Sequence, residues 1–247
     1  MPWKNEGEKI RNPGFKALVF GFGILLIFRP PFLNADEEQA HGVNFERKVI
    51  DQLLGRSYTA EWDIPAEGNV SHPGVPASIK FIQVGRSIYF GDALRQRAID
   101  KPFDIVIGFY EPDRAEKMAR VQAVYVIFVE AAQWKALWGK ITLKDLEELH
   151  KAIHMGSVAE AQNLAKERSA QMRAISNGIK INPKINPDQR RIQCSMDYPT
   201  FCEVFLHDPK PAPQTDLKLW GKPFPREIPL GERGKRVVAP NTPSSDE

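Results

Sequence analysis

The order of the predicted elements indicates an α/β protein with a mixed sheet flanked by helices. A helix comes first, then a strand, a hairpin, a short helix and two long apolar strands, and most later elements are helices. The first long strand, residues 102–110 (PFDIVIGFY), is almost unbroken in apolar residues, as in strands buried on both faces. Strands early and helices late argue against a long doubly wound sheet and favour a helical C-terminal portion.

Periodicity and turn residues define the elements of the first half. Apolar residues at helical spacing predict a helix over residues 44–54, which Gly55 ends. A short strand is predicted over residues 57–63, followed by a loop rich in Gly, Asn, Ser and Pro. The next elements are a β-hairpin with strands at 75–84 and 87–90, a helix at 91–99 capped by Asp92, and strands at 102–110 and 118–130.

The second half is mainly helical. Helices are predicted at 131–138, 143–153 (capped by Thr142), 158–175 and 197–206, and two short strands at 178–184 and 189–196. The two strands are joined by Asn186-Pro187-Asp188, a turn sequence. Trp134 and Trp138, four residues apart on a predicted helix, are best explained as core residues.

The chain divides into three predicted segments: an N-terminal apolar segment (1–40), a globular domain (41–206) and a Pro-rich, largely disordered tail (207–247), of which residues 231–247 show the composition of disorder most clearly. Residues 17–28 (ALVFGFGILLIF) are too few for a spanning helix, which needs about 20 apolar residues. Three interpretations stay open for them: an upstream-assigned start, a loosely attached segment, or an export or anchoring signal.

Composition is that of an ordinary globular protein, with 42% hydrophobic and 26% charged residues and a net charge of +3. Cys194 and Cys202 are too few for a disulfide framework and match no zinc-ligand spacing. They are typical of buried small hydrophobes in a reducing interior, so a cytoplasmic protein without a stable membrane partner is expected.

The candidate site begins with Asp63, at the end of a predicted strand, and with Ser78 and Lys80 on the next strand. Positions i and i+2 of a strand share a face, so Ser78 and Lys80 project together, and pairing of the two strands would bring Asp63 to them. Phosphodiester hydrolysis needs a hard divalent cation on oxygen ligands and positive charge for the transition state. Asp63 and the Ile79 carbonyl are candidate ligands of Mg²⁺ (or Mn²⁺), and Lys80 is the candidate for orienting water and stabilising charge.

Further residues complete this prediction. Glu46 on the first helix is a second candidate acid, and Arg95 and Gln96 follow the hairpin where they can reach a phosphate. A cluster of basic residues in the last third of the chain, above all Lys184, Arg190 and Arg191, fits DNA phosphates. A solvated face is the alternative, because acidic residues are interleaved with this cluster. His150 and His154 are spaced for zinc but lack further ligands, which favours a surface pair.

This pattern resembles the PD-(D/E)XK nuclease superfamily, which includes many restriction endonucleases. The blocks NFERKVIDQL, EWDIP, VPASIK, GDALRQRAID, PFDIVIGFY and INPKINPDQRRIQCSMDYPTF are similar to a group of restriction-endonuclease-like bacterial proteins, over roughly residues 42–205. The resemblance implies a restriction-endonuclease-like mixed sheet with Mg²⁺ at one end. The chain departs from the family where Ser78 replaces an acid and where Pro65 follows Asp63 rather than preceding it. Glu46, or Gln83 on the same strand, is the expected compensation.

The sequence therefore predicts a Mg²⁺-dependent, type II-like deoxyribonuclease acting on double-stranded DNA. The alternative is a DNA-binding protein on a catalytically inactive nuclease scaffold, and Ser78 favours it. An exported or membrane-attached protein is a third hypothesis, based only on residues 17–28. Cutting both strands at a symmetric site commonly uses two subunits, which makes a homodimer a candidate assembly. A cognate DNA methyltransferase encoded nearby is the expected companion of a restriction system.

Overall fold

The computed structural model describes residues 35–52 and 62–230, and in these ranges the chain is an α/β protein with a mixed sheet flanked by helices, as predicted. The apolar run at 17–28, most of the strand predicted at 57–63 and the tail at 231–247 lie outside these ranges. No helix within them is long and apolar enough to cross a membrane.

The described elements agree closely with most of the predicted ones. They are α1 (Ala35–Gln52), β1 (Ala77–Gln83), β2 (Ile88–Asp92), α2 (Ala93–Ala98), β3 (Phe103–Asp113), β4 (Met118–Val129), α3 (Ala131–Leu137), α4 (Leu143–Ile153), α5 (Val158–Ile175), β5 (Lys180–Asn186), β6 (Gln189–Met196), α6 (Tyr198–Leu206), β7 (Lys218–Leu219), β8 (Lys222–Pro223) and β9 (Glu227–Pro229). Both α4 and α5 have the predicted bounds, because Thr142 and Ser157 each form a capping box with the acid three residues later.

The central sheet has the strand order β1-β3-β4-β9. β1 runs parallel to β3, and β3 pairs antiparallel with β4. The first eight residues of β3 are buried, which confirms the prediction of a strand covered on both faces. One face packs on a large core that includes Trp134 and Trp138, both fully buried as predicted. The other face packs on a smaller core that includes Phe45 of α1.

The predicted hairpin between residues 75–84 and 87–90 is wrong. A tight turn does join β1 to β2, with Gly85 at φ +80° and the Arg86 N–H donating to the Gln83 carbonyl. The strands then separate: β2 pairs with β6 in a second, antiparallel sheet of order β2-β6-β5. The physical reason is that both edges of β1 are occupied, one by β3 and the other by Asp63 and Ile64.

The packed region extends beyond the boundary predicted at residue 206. β9 pairs with β4, and Leu217, Leu219 and Phe224 are buried against the smaller core. Residues 207–230 are therefore part of the folded unit rather than of a disordered tail.

Helix α1 is held on the sheet by an aromatic contact. It begins at Ala35, earlier than the predicted residue 44. Phe45 is fully buried, and its ring stacks on Phe81 of β1 at 4.4 Å between centroids. Gly108 of β3 makes this approach possible, since a Cβ there would lie 2.6 Å from Cζ of Phe45. This contact sets the position of Glu46, the next residue along α1.

Candidate active site

Asp63, Ser78, Ile79 and Lys80 meet at the edge of β1 that faces away from β3, and we call them the β1 edge site. Oδ2 of Asp63 accepts hydrogen bonds from the Ile79 N–H (2.6 Å) and the Ser78 hydroxyl (3.1 Å). Nζ of Lys80 donates to Ser78 Oγ (2.6 Å) and to the Ile79 carbonyl (3.1 Å), and lies 3.8 Å from Asp63 Oδ2. The predicted proximity of Asp63, Ser78 and Lys80 is confirmed.

Backbone pairing explains why Asp63 sits there. Ile64 and Ala77 exchange two backbone hydrogen bonds, of 3.0 and 2.8 Å. Alternate residues of a strand present their N–H and C=O groups to the same edge, so those of Ile79 point the same way as those of Ala77. The Asp63 carboxylate accepts the Ile79 N–H in place of a backbone carbonyl, which leaves the Ile79 carbonyl beside it. A carboxylate and a carbonyl oxygen are thereby fixed together.

The β1 edge site is partly shielded from water. The side chains of Lys80 and Asp63 are 17% and 34% exposed, and Ser78 is 8% exposed. Burial lowers the pKa of the Lys80 ammonium below its ordinary value, Asp63 and Glu46 oppose this by favouring the charged form, and the Arg95 charge lowers the pKa further. Glu46 and Arg95 therefore lie within electrostatic range of Lys80. A lysine with a perturbed pKa beside a carboxylate is typical of functional sites.

The oxygen atoms near Asp63 suit a hard cation. The Asp63 carboxylate and the Ile79 carbonyl lie side by side, the Glu46 carboxylate lies within electrostatic range of Lys80, and Mg²⁺ commonly binds one or two carboxylates while keeping several waters. Across residues 35–52 and 62–230, no three His, Cys, Asp or Glu side chains are grouped so as to hold a metal. Gln83 does not supply the missing ligand, because strand alternation places its side chain on the face opposite Ser78. Glu46 is the remaining candidate.

The predicted phosphate contacts Arg95 and Gln96 differ in exposure. Asp92 caps α2 by accepting the Arg95 N–H, as predicted, and the Arg95 side chain is exposed. Gln96, in contrast, is 4% exposed and its Nε2 donates to the Phe90 carbonyl. Its amide is used inside the protein, which removes Gln96 from the predicted set.

The basic residues of the second sheet differ in the same way. Nη1 of Arg190 donates to the carbonyls of Ile153 and Gly156 at the end of α4, so its guanidinium is engaged within the protein. Lys184 and Arg191 are exposed and directly opposite each other on β5 and β6. Those two remain available to a polyanion.

Sequence reasoning missed a polar cluster at the start of β3. Asp104 is fully buried, accepts a hydrogen bond from Asn69 Nδ2 (2.6 Å) and lies 2.9 Å from Nδ1 of His72. The Asn69 side chain also accepts the backbone N–H of Ser71, which fixes the loop before β1. An acid inside an apolar strand was the available signal, since a buried carboxylate requires partners.

The two cysteines and the remaining histidine pair behave as the sequence suggested. Cys194 and Cys202 are buried free thiols. His150 and His154 are in ring contact on α4, and Nδ1 of His154 lies 2.7 Å from the His150 carbonyl. Neither pair belongs to the β1 edge site.

Comparison of the chain with protein-family models, with curated proteins and with solved structures returned no match. The geometry of the β1 edge site is therefore the basis for inferring a function. That geometry offers one acid, one carbonyl and one desolvated lysine, with Glu46 of α1 within electrostatic range of the lysine, and such groups can bind a cation and stabilise an anionic transition state.

Proposed function

We propose that the chain is a metal-dependent endonuclease of the restriction type, built on the restriction-endonuclease-like core of the PD-(D/E)XK superfamily and acting on double-stranded DNA. The observation that carries the proposal is the joint placement of the Asp63 carboxylate, the Ile79 carbonyl and the Lys80 ammonium at one edge of β1. The placement of Glu46 on α1, within electrostatic range of Lys80, supports it.

The residues have distinct roles in this proposal. Asp63, Glu46 and the Ile79 carbonyl would hold Mg²⁺ or Mn²⁺, which when bound polarises the scissile phosphate and lowers the pKa of a water. Lys80 orients the attacking water and stabilises the charge that develops on the phosphoryl oxygens. The Ser78 hydroxyl hydrogen-bonds with both Asp63 and Lys80 and so fixes the positions of these two side chains relative to each other.

The proposed DNA contacts come from residues outside the β1 edge site. Arg95 contacts a phosphate next to the cleaved one, and Lys184 and Arg191 supply sequence-independent affinity for the duplex. A homodimer would place two such sites on the two strands. A DNA methyltransferase encoded nearby would protect the host DNA.

The replacement Asp63→Asn tests the proposal. Asparagine keeps an oxygen to accept the Ile79 N–H, so the free energy of unfolding should fall by only about 1–2 kcal/mol, the difference between charged and neutral acceptors. Mg²⁺-dependent cleavage of plasmid DNA should fall about 100-fold or more, because a metal contributes several kcal/mol to the transition state.

Asp113→Asn is the matched control for this experiment. Asp113 also pairs with a cation, Arg120 at 2.7 Å, but it lies at the far end of β3. This variant should cleave at the wild-type rate. Equal cleavage by wild type and by Asp63→Asn would sink the assignment of Asp63.

A second candidate function is a DNA-binding protein on a catalytically inactive nuclease scaffold. The observation favouring it is Ser78, which stands where the superfamily has an acid and whose hydroxyl is already engaged by Asp63 and Lys80. Such a protein would retard DNA in a gel shift and leave it uncut in both Mg²⁺ and Mn²⁺.

Ser78→Asp separates the two candidates. Without metal, the new carboxylate faces Asp63 and the Tm should fall, since two carboxylates cannot share a site without raising one pKa. Adding Mg²⁺ at about 100 times its dissociation constant should restore about 2.7 kcal/mol, or about 5–10 °C in Tm. If adding Mg²⁺ leaves the Tm unchanged in both the wild type and Ser78→Asp, the catalytically inactive scaffold is favoured.

A further inference from the structure

A cavity of about 530 Å³ lies beside the β1 edge site. One wall is Trp62 and the chain just before β1, and the other is α2 with the segment that follows it. The volume falls within the range of about 300–1,000 Å³ that is usual for small-molecule sites. The cavity can therefore hold one ligand of nucleotide size.

Chain connectivity joins this cavity to the proposed catalytic residues. Trp62 directly precedes Asp63, and Pro76, which also lines the cavity, directly precedes β1. Arg95, an exposed residue of α2, also lines the cavity. A ligand in the cavity would lie next to the group that Asp63 and Lys80 act on.

The lining has the chemistry of a nucleotide site. The ring of Trp62 packs against Phe103 at 5.5 Å, which orients the indole, and Val75 and Pro102 add apolar surface. Arg95 lines the cavity from α2, and Asp100 and Lys101 line it from the segment after α2. An aromatic ring, a guanidinium, a carboxylate and an ammonium around one cavity suit a base, its phosphate and the polar edge of the base.

We propose that this cavity binds one unstacked nucleotide of the DNA strand, next to the phosphate that the β1 edge site acts on. The base stacks on Trp62, its phosphate pairs with Arg95, and its polar edge faces Asp100 and Lys101. This inference rests on the proposed function for its substrate strand. It adds that the enzyme takes a nucleotide out of the duplex, or prefers one that is already unpaired, since unstacking costs a few kcal/mol.

Binding can be measured without catalysis. The probe is a short thymidine oligonucleotide carrying a single 2-aminopurine, added to the full chain in EDTA, with 2-aminopurine fluorescence as the readout. Stacking on Trp62 should quench the probe, and Trp62→Ala should weaken binding by about 5- to 150-fold, the usual contribution of one base–aromatic stack. Trp62→Phe should retain most of the affinity. Wild-type affinity in Trp62→Ala would overturn the proposal.

Two further variants guard against misfolding of Trp62→Ala. Ala98→Phe fills the cavity from the exposed face of α2 and removes no contact of Trp62, so it should also abolish quenching. Arg95→Gln should weaken binding of the oligonucleotide probe, because it removes the charge that pairs with the phosphate. Lys144→Gln, a change of an exposed lysine on α4, should leave the affinity unchanged. Quenching that persists in Ala98→Phe would place the bound base elsewhere.

Free 2-aminopurine nucleoside monophosphate separates a strand nucleotide from a free one. The strand should bind more tightly than the free nucleotide, and equal affinities would overturn the assignment to DNA. The inference and the proposed function fail separately. Plasmid cleavage without Trp62-dependent quenching contradicts the inference alone, and quenching without metal-dependent cleavage by wild type contradicts the proposed function alone.

Discussion

Replacing Lys80 by methionine should change how the free energy of unfolding depends on pH, because burial of the Lys80 ammonium costs stability in the folded protein. Lys80 is 17% exposed, and burial lowers its pKa from the ordinary 10.5. A depressed lysine pKa means that the folded state disfavours the charge, so the ammonium destabilises the fold below its folded pKa. Methionine has a similar length and carries no charge. The variant should therefore be relieved of this cost near pH 7.

The magnitude near pH 7 follows from opposing contributions. Lys80→Met loses two charge-assisted hydrogen bonds, to Ser78 and the Ile79 carbonyl, each contributing about 1.5–3 kcal/mol. It also removes a desolvation cost of several kcal/mol. The free energy of unfolding should stay within about 2 kcal/mol of wild type, whereas breaking a structural buried ion pair costs about 3–5 kcal/mol.

The sign of the pH dependence is fixed by proton binding. Between the folded pKa of Lys80 and 10.5, the unfolded chain holds more protons than the folded chain. Wild-type stability therefore rises with pH in this window, by at most about 1.4 kcal/mol per pH unit for one group. Lys80→Met lacks this rise, so the stability difference, wild type minus variant, should grow as the pH increases towards 10.5.

Urea unfolding followed by tryptophan fluorescence, from about pH 7 to about pH 10, measures this difference, and the other titrating groups cancel between the two proteins. A difference that stays flat or shrinks with pH would show that the ion pair with Asp63 balances or outweighs the effect of burial on the pKa of Lys80, and would refute the reasoning. Cleavage by Lys80→Met should be lost at every pH.

Two other predictions concern the packing of α1 on the sheet and the basic residues Arg190 and Arg191. Gly108→Ala should drive a Cβ into the ring of Phe45, lower the free energy of unfolding by about 1–3 kcal/mol and impair cleavage through the displaced helix. Gly42→Ala, inside α1 with nothing within 4 Å of the new Cβ, should instead leave the Tm unchanged or raise it slightly, because alanine favours a helix. Arg191→Ala should weaken DNA binding and reduce the slope of log affinity against log salt by about one unit, whereas Arg190→Ala should lower the Tm and leave that slope unchanged.

Local sequence patterns predicted most of the secondary structure. Capping residues define α4 and α5 in the sequence itself, and long, mostly apolar runs define β3 and β4. The pairing partner of β2 was not predictable in this way. A tight turn specifies that the chain reverses, while the choice between β1 and β6 depends on which strand edges are already occupied.

Short elements were also beyond sequence reasoning. β7 and β8 have two residues each and β9 has three, too few to show alternation, and prolines in this segment suggested disorder instead. In the candidate site, too, local contacts were predictable from the sequence and long-range contacts were not. Ser78 and Lys80 share a face by strand periodicity alone, whereas the contact of His72 with Asp104 depends on how the loop before β1 folds back.

Ser78 makes the β1 edge site stable without a cation. Its hydroxyl donates to Asp63 and accepts from Lys80, so one neutral group links the carboxylate to the ammonium. An acid at this position would accept from Lys80 and repel Asp63 unless a cation lay between them. Serine removes that repulsion and, with it, one charged ligand, which weakens cation binding because ligand charge sets affinity. The proposed enzyme should therefore need a higher cation concentration than a site with three acids, and Ser78→Asp should lower the Mg²⁺ concentration at which cleavage is half-maximal.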